Sequence, residues 1–189
     1  MPIEKFLAYH CGPALAGIKP ANIMSFRRRE NPGLVREIDI LNSKLNGRGI
    51  YIEVLCECSE RLLIMTYRSE KLRAYLSGAR INDFLISCGY PENFSLRDYI
   101  DILKSRIRAQ RISGDEFPHE IGAFLGYPIH DIYGFINHKH TGCLMTGEWK
   151  VYAEAEQAAR LFHRYKSCRS ALLKHINAGK TLEQLFCTA

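Results

Sequence analysis

The chain has 189 residues, 47% hydrophobic and 24% charged, which supports one well-buried core and is short for two. No apolar run approaches the roughly 20 residues of a membrane helix. The start, MPIEKFLAYH, lacks a basic stretch ahead of a long apolar one, so the expectation is a cytoplasmic protein with no secretory signal and no membrane span. The net charge of +6 permits anionic partners without demanding one. An RNA-recognition aromatic signature, a zinc-finger spacing and a polybasic tail are all missing, which sets nucleic acid aside as a partner.

Residues 2–9 read as a short helix ending before Cys11-Gly12-Pro13. Residues 21–26 follow Pro20 and read as extended, because proline disfavours helix in the residue before it. Asn31-Pro32 predicts an N-cap with proline in the first turn; Leu34, Ile38, Leu41 and Leu45 then recur at helical spacing up to Gly47. GIYIEVLCECSERLLIMTYRS is the clearest β signal, a hairpin of runs near 50–57 and 61–67. Cys56 and Cys58 would share a face if the strand reaches that far.

Helices are expected near 69–76 and 80–87, followed by a break at Gly89-Tyr90-Pro91. Ser95 with Asp98 forms a capping box ahead of the stripe Leu96, Tyr99, Ile100, Leu103 and Ile107. Lys104, Arg108 and Arg111 lie off that stripe and read as a solvated face. Two short helices near 118–125 and 129–136 flank Gly126-Tyr127-Pro128, and residues 148–152 read as a strand. A long helix over 154–177 ends at Gly179, and Thr181 with Gln184 caps a last short one. Helices dominate and the strands are hairpin-connected, so the class is α+β: a single helix-rich domain, 1–189, with a small, mainly antiparallel sheet. The seven cysteines contain no CxxC pair and are expected to be mostly buried free thiols.

Three stretches taken together resemble a known family: HCGPALAGIKPANIMSF at 10–26, FPHEIGAFLGYPIHDIYGFI at 117–136 and WKVY at 149–152, with Phe162, Tyr165 and Cys168 in support. The family is DUF3793, a domain of unknown function from anaerobic bacteria. The resemblance spans nearly the whole chain, implies one domain, and places a cysteine shortly before WKVY, near Cys143. It brings no assigned activity. Such genes accompany flavodoxin and iron-uptake genes, so it implies a link to redox or iron metabolism.

The candidate chemistry begins at His10 and Cys11. A cysteine becomes a nucleophile when its pKa falls, but sequence neighbours need not face one another. The string CGPA is similar to the nucleophile segment of papain-like bacterial peptidases. However, EKFLAYH upstream holds no glutamine for an oxyanion hole, and no later strand histidine is followed by Asp or Asn. A buried thiol before a Gly-Pro turn is the plainer reading. On a helix His119 and Glu120 diverge by about 100°, so they form no bidentate site; Glu120 suits a helix start, and His119 could pair with His10 or Cys11.

The loop NHKHTGC holds His138, His140 and Cys143, nitrogen and sulfur donors that suit zinc or another borderline-soft ion, though no fourth ligand is evident. On the 148–152 strand, Trp149 and Val151 face one way while Lys150 and Tyr152 face the other. If Lys19, Lys150, Tyr152 and His10 converge, they would make a pocket for a carboxylate or phosphate.

Three functions follow. The first is a small-ligand or cofactor-binding protein, redox-linked, whose site gathers His10, Cys11, Lys19, His119, Glu120 and Trp149–Tyr152. The second is a thiol enzyme with Cys11 as nucleophile. The third is a non-catalytic module that docks an acidic protein, such as a flavodoxin, through Arg27–Arg29 and the 104–111 face.

Overall fold

A computed structural model describes residues 3–58, 60–92, 95–114, 116–139 and 141–187. The fold is α+β, as expected: helices predominate around one three-stranded antiparallel sheet and one two-stranded ladder. The chain forms two compact units, Met1–Leu72 with Cys168–Ala189, and Arg73–Ser167.

In the first unit, β1 (Ala21–Arg27), β2 (Ile50–Glu57) and β3 (Arg61–Arg68) pair antiparallel in the order β1-β3-β2. Side chains alternate across a strand, so Met24, Phe26, Ile50, Ile52, Leu62 and Ile64 share one face. That face packs against the stripe Leu34, Ile38, Leu41 and Leu45 of α2 (Leu34–Leu45) and against Leu7, Cys11 and Leu15 of α1 (Ile3–Leu15). Asn42 fixes α2 to β2. Its amide nitrogen donates to the Ile52 carbonyl at 2.8 Å, and its oxygen accepts from the Ile52 N–H at 2.9 Å.

Three local expectations in this unit are corrected. The first helix does not stop before Cys11; it runs to Leu15 with Pro13 inside it. The turn after Pro13 survives because the Ala14 N–H donates to the buried Asn22 carboxamide oxygen at 3.1 Å, while the Pro13 carbonyl accepts from Ile18 and Lys19. Second, helix α2 starts later than Asn31-Pro32 suggests. A 3-10 turn at Arg28–Glu30 ends on Asn31, whose side chain donates back to the Arg27 carbonyl, so α2 starts at Leu34 behind Gly33. The element closes at Gly49, left-handed at φ 70°, and Gly47 lies within a preceding 3-10 turn. Third, β2 carries a register shift between Val54 and Cys56 and ends at Glu57, leaving Cys58 in the hairpin turn.

The second unit holds the last residues of α3 (Ser69–Leu76), then α4 (Ala79–Ser87), α5 (Leu96–Ser113), α6 (Ile121–Phe124) and α7 (Ile129–His138). The ladder β4 (Met145–Thr146) with β5 (Lys150–Val151) follows, and then most of α8 (Ala155–Asn177). The capping box at Ser95 and Asp98 forms as its spacing predicts, and Tyr99, Ile100, Leu103 and Ile107 are buried. The second box, Thr181 with Gln184, starts α9 (Leu182–Phe186) in the first unit.

The strand expected over 148–152 is only Lys150–Val151. It ends because the next two backbone N–H groups, Tyr152 and Ala153, donate to the Asp131 carboxylate and not to a partner strand. No described helix is long and apolar enough to cross a membrane.

Candidate ligand-binding cleft

The second unit contains a cleft of about 450 Å³, within the range of small-molecule sites. Its walls are apolar and mostly aromatic: Phe117, Ile121, Tyr127, Ile132, Phe135 and Trp149. At its rim stand Glu116, His119, Lys139 and Lys150.

The wall is held from behind. Asp131, in the first turn of α7, is buried, yet its carboxylate accepts from the Trp149 indole at 2.7 Å, the Tyr152 N–H at 2.6 Å and the Ala153 N–H at 3.2 Å. A carboxylate taken from water is tolerable only with such partners. Trp149 also meets the Phe162 ring edge-on at 4.6 Å and the tilted Tyr127 ring at 4.9 Å. Tyr127 is itself fixed at both ends: its carbonyl accepts from Tyr75, and its hydroxyl donates to the Glu148 carbonyl.

Three of the rim groups are linked through Glu116. Glu116 accepts from Lys139 Nζ at 3.0 Å, and its other oxygen lies 3.2 Å from His119 Nε2. These two contacts hold the Glu116 carboxyl below the usual carboxylate range. Lys139 closes α7 with φ 51° and ψ −103°, a backbone state that side-chain-bearing residues rarely adopt. The Tyr152 hydroxyl donates to its carbonyl at 2.7 Å, and its own N–H donates to the Phe135 carbonyl.

Of the residues singled out in the sequence, the cleft gathers His119, Trp149 and Lys150. Tyr152 stands behind the rim, stacked on His138, and is tied to the site through the Lys139 carbonyl and the Asp131 carboxylate. Glu120 is buried and points to α5. It accepts from Arg106 at 2.8 Å, while Arg106 also donates to the Cys88 carbonyl and lies over the Tyr90 ring. That is a structural ion pair, and Glu120 does not line the cleft.

His10, Cys11 and Lys19 belong to the first unit and line no part of this cleft. Cys11 is 0% exposed, packed under the sheet. Burial pushes its thiol up to about 11, against smaller opposing effects of the Thr66 hydroxyl, Lys19 and Arg169. The residue before it, His10, is on the surface of α1 beside the Phe6 and Tyr9 rings; partial burial and Arg169 pull its pKa down. Lys19 is buried in the same unit.

Unfolded chains release the cysteine proton near pH 9 and the folded protein near 11, so the folded state holds the extra proton in between. Its stability contribution is therefore intact below pH 9 and drains away toward pH 11. The expected loss is about 2 kcal/mol. Urea unfolding at both pH values, in wild type and Cys11→Ala, checks it: the variant should lack that part of the pH dependence.

His138 ends α7 and Cys143 lies in the following loop, its sulfur 3.8 Å from the Thr146 hydroxyl. His140 lies outside the described residues. Among those described, no three His, Cys, Asp or Glu side chains gather as a metal-ligating group. In the basic patches, Arg27 pairs with Glu30, Arg28 with Glu57, and Lys104 with Asp101.

Residues missed in the sequence are Glu116, Tyr127, Asp131, Phe135 and Lys139. All lie in or beside the aromatic, glycine- and proline-rich stretch from Glu116 to Lys139, a density that was the available signal.

The family model described as "Protein of unknown function (DUF3793)" matches residues 7–186, almost the full length. No curated protein and no solved structure matches the chain.

Proposed function

We propose that this chain, which belongs to the DUF3793 family, is a small-ligand-binding protein that takes a flat, mainly apolar organic molecule into the cleft of its second unit. One observation carries the reading: a cleft of about 450 Å³ walled by aromatic and aliphatic side chains, of which Trp149 is oriented by its buried hydrogen bond to Asp131 and Tyr127 by its hydroxyl on the Glu148 carbonyl. Apolar walls supply affinity by desolvation, and a few placed polar groups supply orientation. Lys139 and Lys150 at the rim favour a ligand with one negatively charged end. A flat organic redox cofactor falls within this class, so the reading accommodates the redox link implied by the resemblance.

Trp149 is the only tryptophan in the chain and lines the cleft, so its emission reports occupancy directly. Titration with the uncharged probe N-phenyl-1-naphthylamine should change Trp149 emission saturably at one site. Phe135→Ala, which removes one aromatic wall, should weaken that binding about tenfold. An unsaturable response, or equal affinity in Phe135→Ala, overturns the reading.

A further inference from the structure

The rim carries a feature that a merely structural account does not require. Lys139 and Glu154 are the described non-glycine residues with positive φ, and Lys139 stands at the cleft mouth. A lysine there costs backbone energy that a glycine would not. The conformation is enforced from both sides of the residue, by the Tyr152 hydroxyl on its carbonyl and by the Phe135 carbonyl on its N–H. The surroundings thus hold an ammonium group over an apolar cleft in a backbone state it would otherwise leave. Strain of this kind gathers where a side chain must be presented to something.

The partner that Lys139 meets in the structure is Glu116. This carboxylate also contacts His119, so one anionic group bridges the two cationic or hydrogen-bonding rim groups at 3.0 and 3.2 Å. Glu116 and Lys139 are both well exposed, with side chains 64% and 71% accessible, so their pair is easily exchanged.

We propose that Lys139 and His119 form the anion subsite of the cleft, and that Glu116 is an internal surrogate which the ligand's own carboxylate, or a similar anionic head, displaces. The ligand class is then an amphiphilic organic anion: a flat apolar body between Phe135, Tyr127 and Trp149, with its charge at the Lys139 rim. This rests on the small-ligand reading above. Recognition becomes an exchange of one anion for another, so the rim stays neutralised while specificity comes from the body.

The test uses a matched pair of probes in the full-length protein, followed by Trp149 emission. N-phenyl-1-naphthylamine is uncharged, and 8-anilino-1-naphthalenesulfonate adds an anionic group to the same skeleton. Glu116→Gln should tighten the sulfonate about threefold and leave the neutral probe unchanged. Glu156→Gln removes the same charge from α8 at a side chain outside the cleft lining, and sets the baseline for general electrostatics. Lys139→Gln and Lys139→Gly should both weaken the sulfonate about fivefold. Only Lys139→Gly should also raise Tm, by about 2–4 °C.

Sulfonate affinity unaltered by Glu116→Gln beyond the Glu156→Gln baseline, or retained in both Lys139 variants, overturns the subsite while the neutral probe still reports the cleft. Failure of the neutral probe to saturate wild type overturns the underlying reading instead.

Discussion

Asp131→Ala should lower the unfolding free energy of the second unit by about 3–5 kcal/mol, the largest effect expected of any single substitution in this unit. The substitution removes one acceptor and leaves three donors behind: the Trp149 indole and the Tyr152 and Ala153 N–H groups. A buried donor without a partner costs about 1–3 kcal/mol, more than the net worth of the bond it made. The rest of the carboxylate's surroundings cannot substitute, since Asp131 is only 2% exposed and His130 approaches it no closer than 3.7 Å. Asp131→Asn keeps the shape but turns one oxygen into a donor, so it should recover only part of the loss. Urea unfolding followed by Trp149 emission reads this unit alone, because no other tryptophan contributes. A loss below about 1 kcal/mol would mean that water or a shifted strand satisfies the donors. In the folded fraction the neutral probe should also bind more weakly, since Trp149 loses the group that orients it.

Legibility in the sequence followed the range of the interaction. The α2 stripe and both capping boxes depend on residues within a few positions of each other, and each formed as read; the hairpin formed too, but with a register shift between Val54 and Cys56 that interrupts its alternation. The path of α1 through Gly12-Pro13 depends on Asn22, eight residues further on and in a strand. Proline normally ends a helix, but here the Ala14 N–H finds a tertiary acceptor and the Ala16 N–H still reaches the Gly12 carbonyl, so the last turn persists. The short β5 is the same case in reverse. GEWKVY has strand composition, but the N–H of its last residue, Tyr152, and that of Ala153 after it are claimed by an aspartate 21 and 22 residues earlier.

The site divides along the same line. His119, Trp149 and Lys150 stand out as isolated polar or aromatic groups in a distinctive stretch, and they do meet at the cleft. His10 and Cys11 stand out equally, yet lie in the first unit, because composition cannot say which side of a helix faces the core. Asp131 reads locally as an ordinary acidic residue in a first helical turn, which is stabilising by itself and draws no notice. Lys139 is an unremarked lysine until its φ is known. Both are selected by geometry supplied from Trp149 to Ala153, a segment that periodicity does not connect to α7.

Gly134→Ala should cost about 3 kcal/mol and should also loosen the rim. Gly134 lies on α7, where a methyl group is normally favourable by about 1 kcal/mol through helix propensity. Here a Cβ would overlap the Tyr152 side chain at its Cβ, Cγ and ring. The side chain cannot swing away cheaply: its hydroxyl donates to the Lys139 carbonyl, His138 stacks on its ring, and the Tyr152 backbone N–H is tied to Asp131. Displacing Tyr152 therefore removes one of the two bonds that hold Lys139 in its positive-φ state. Lys139 should relax, and the sulfonate probe should lose affinity more than the neutral probe does. Pairing Gly134→Ala with Tyr152→Gly separates the two links: removing the whole Tyr152 side chain, whose Cβ would itself lie 2.6 Å from the new methyl, opens the space and should abolish the overlap cost when read against Tyr152→Gly alone. It leaves the Lys139 carbonyl without its hydroxyl donor, so the sulfonate affinity should stay low. If the double variant recovered both stability and sulfonate affinity, Tyr152 would be packing alone, and the strained lysine would owe its position to something else.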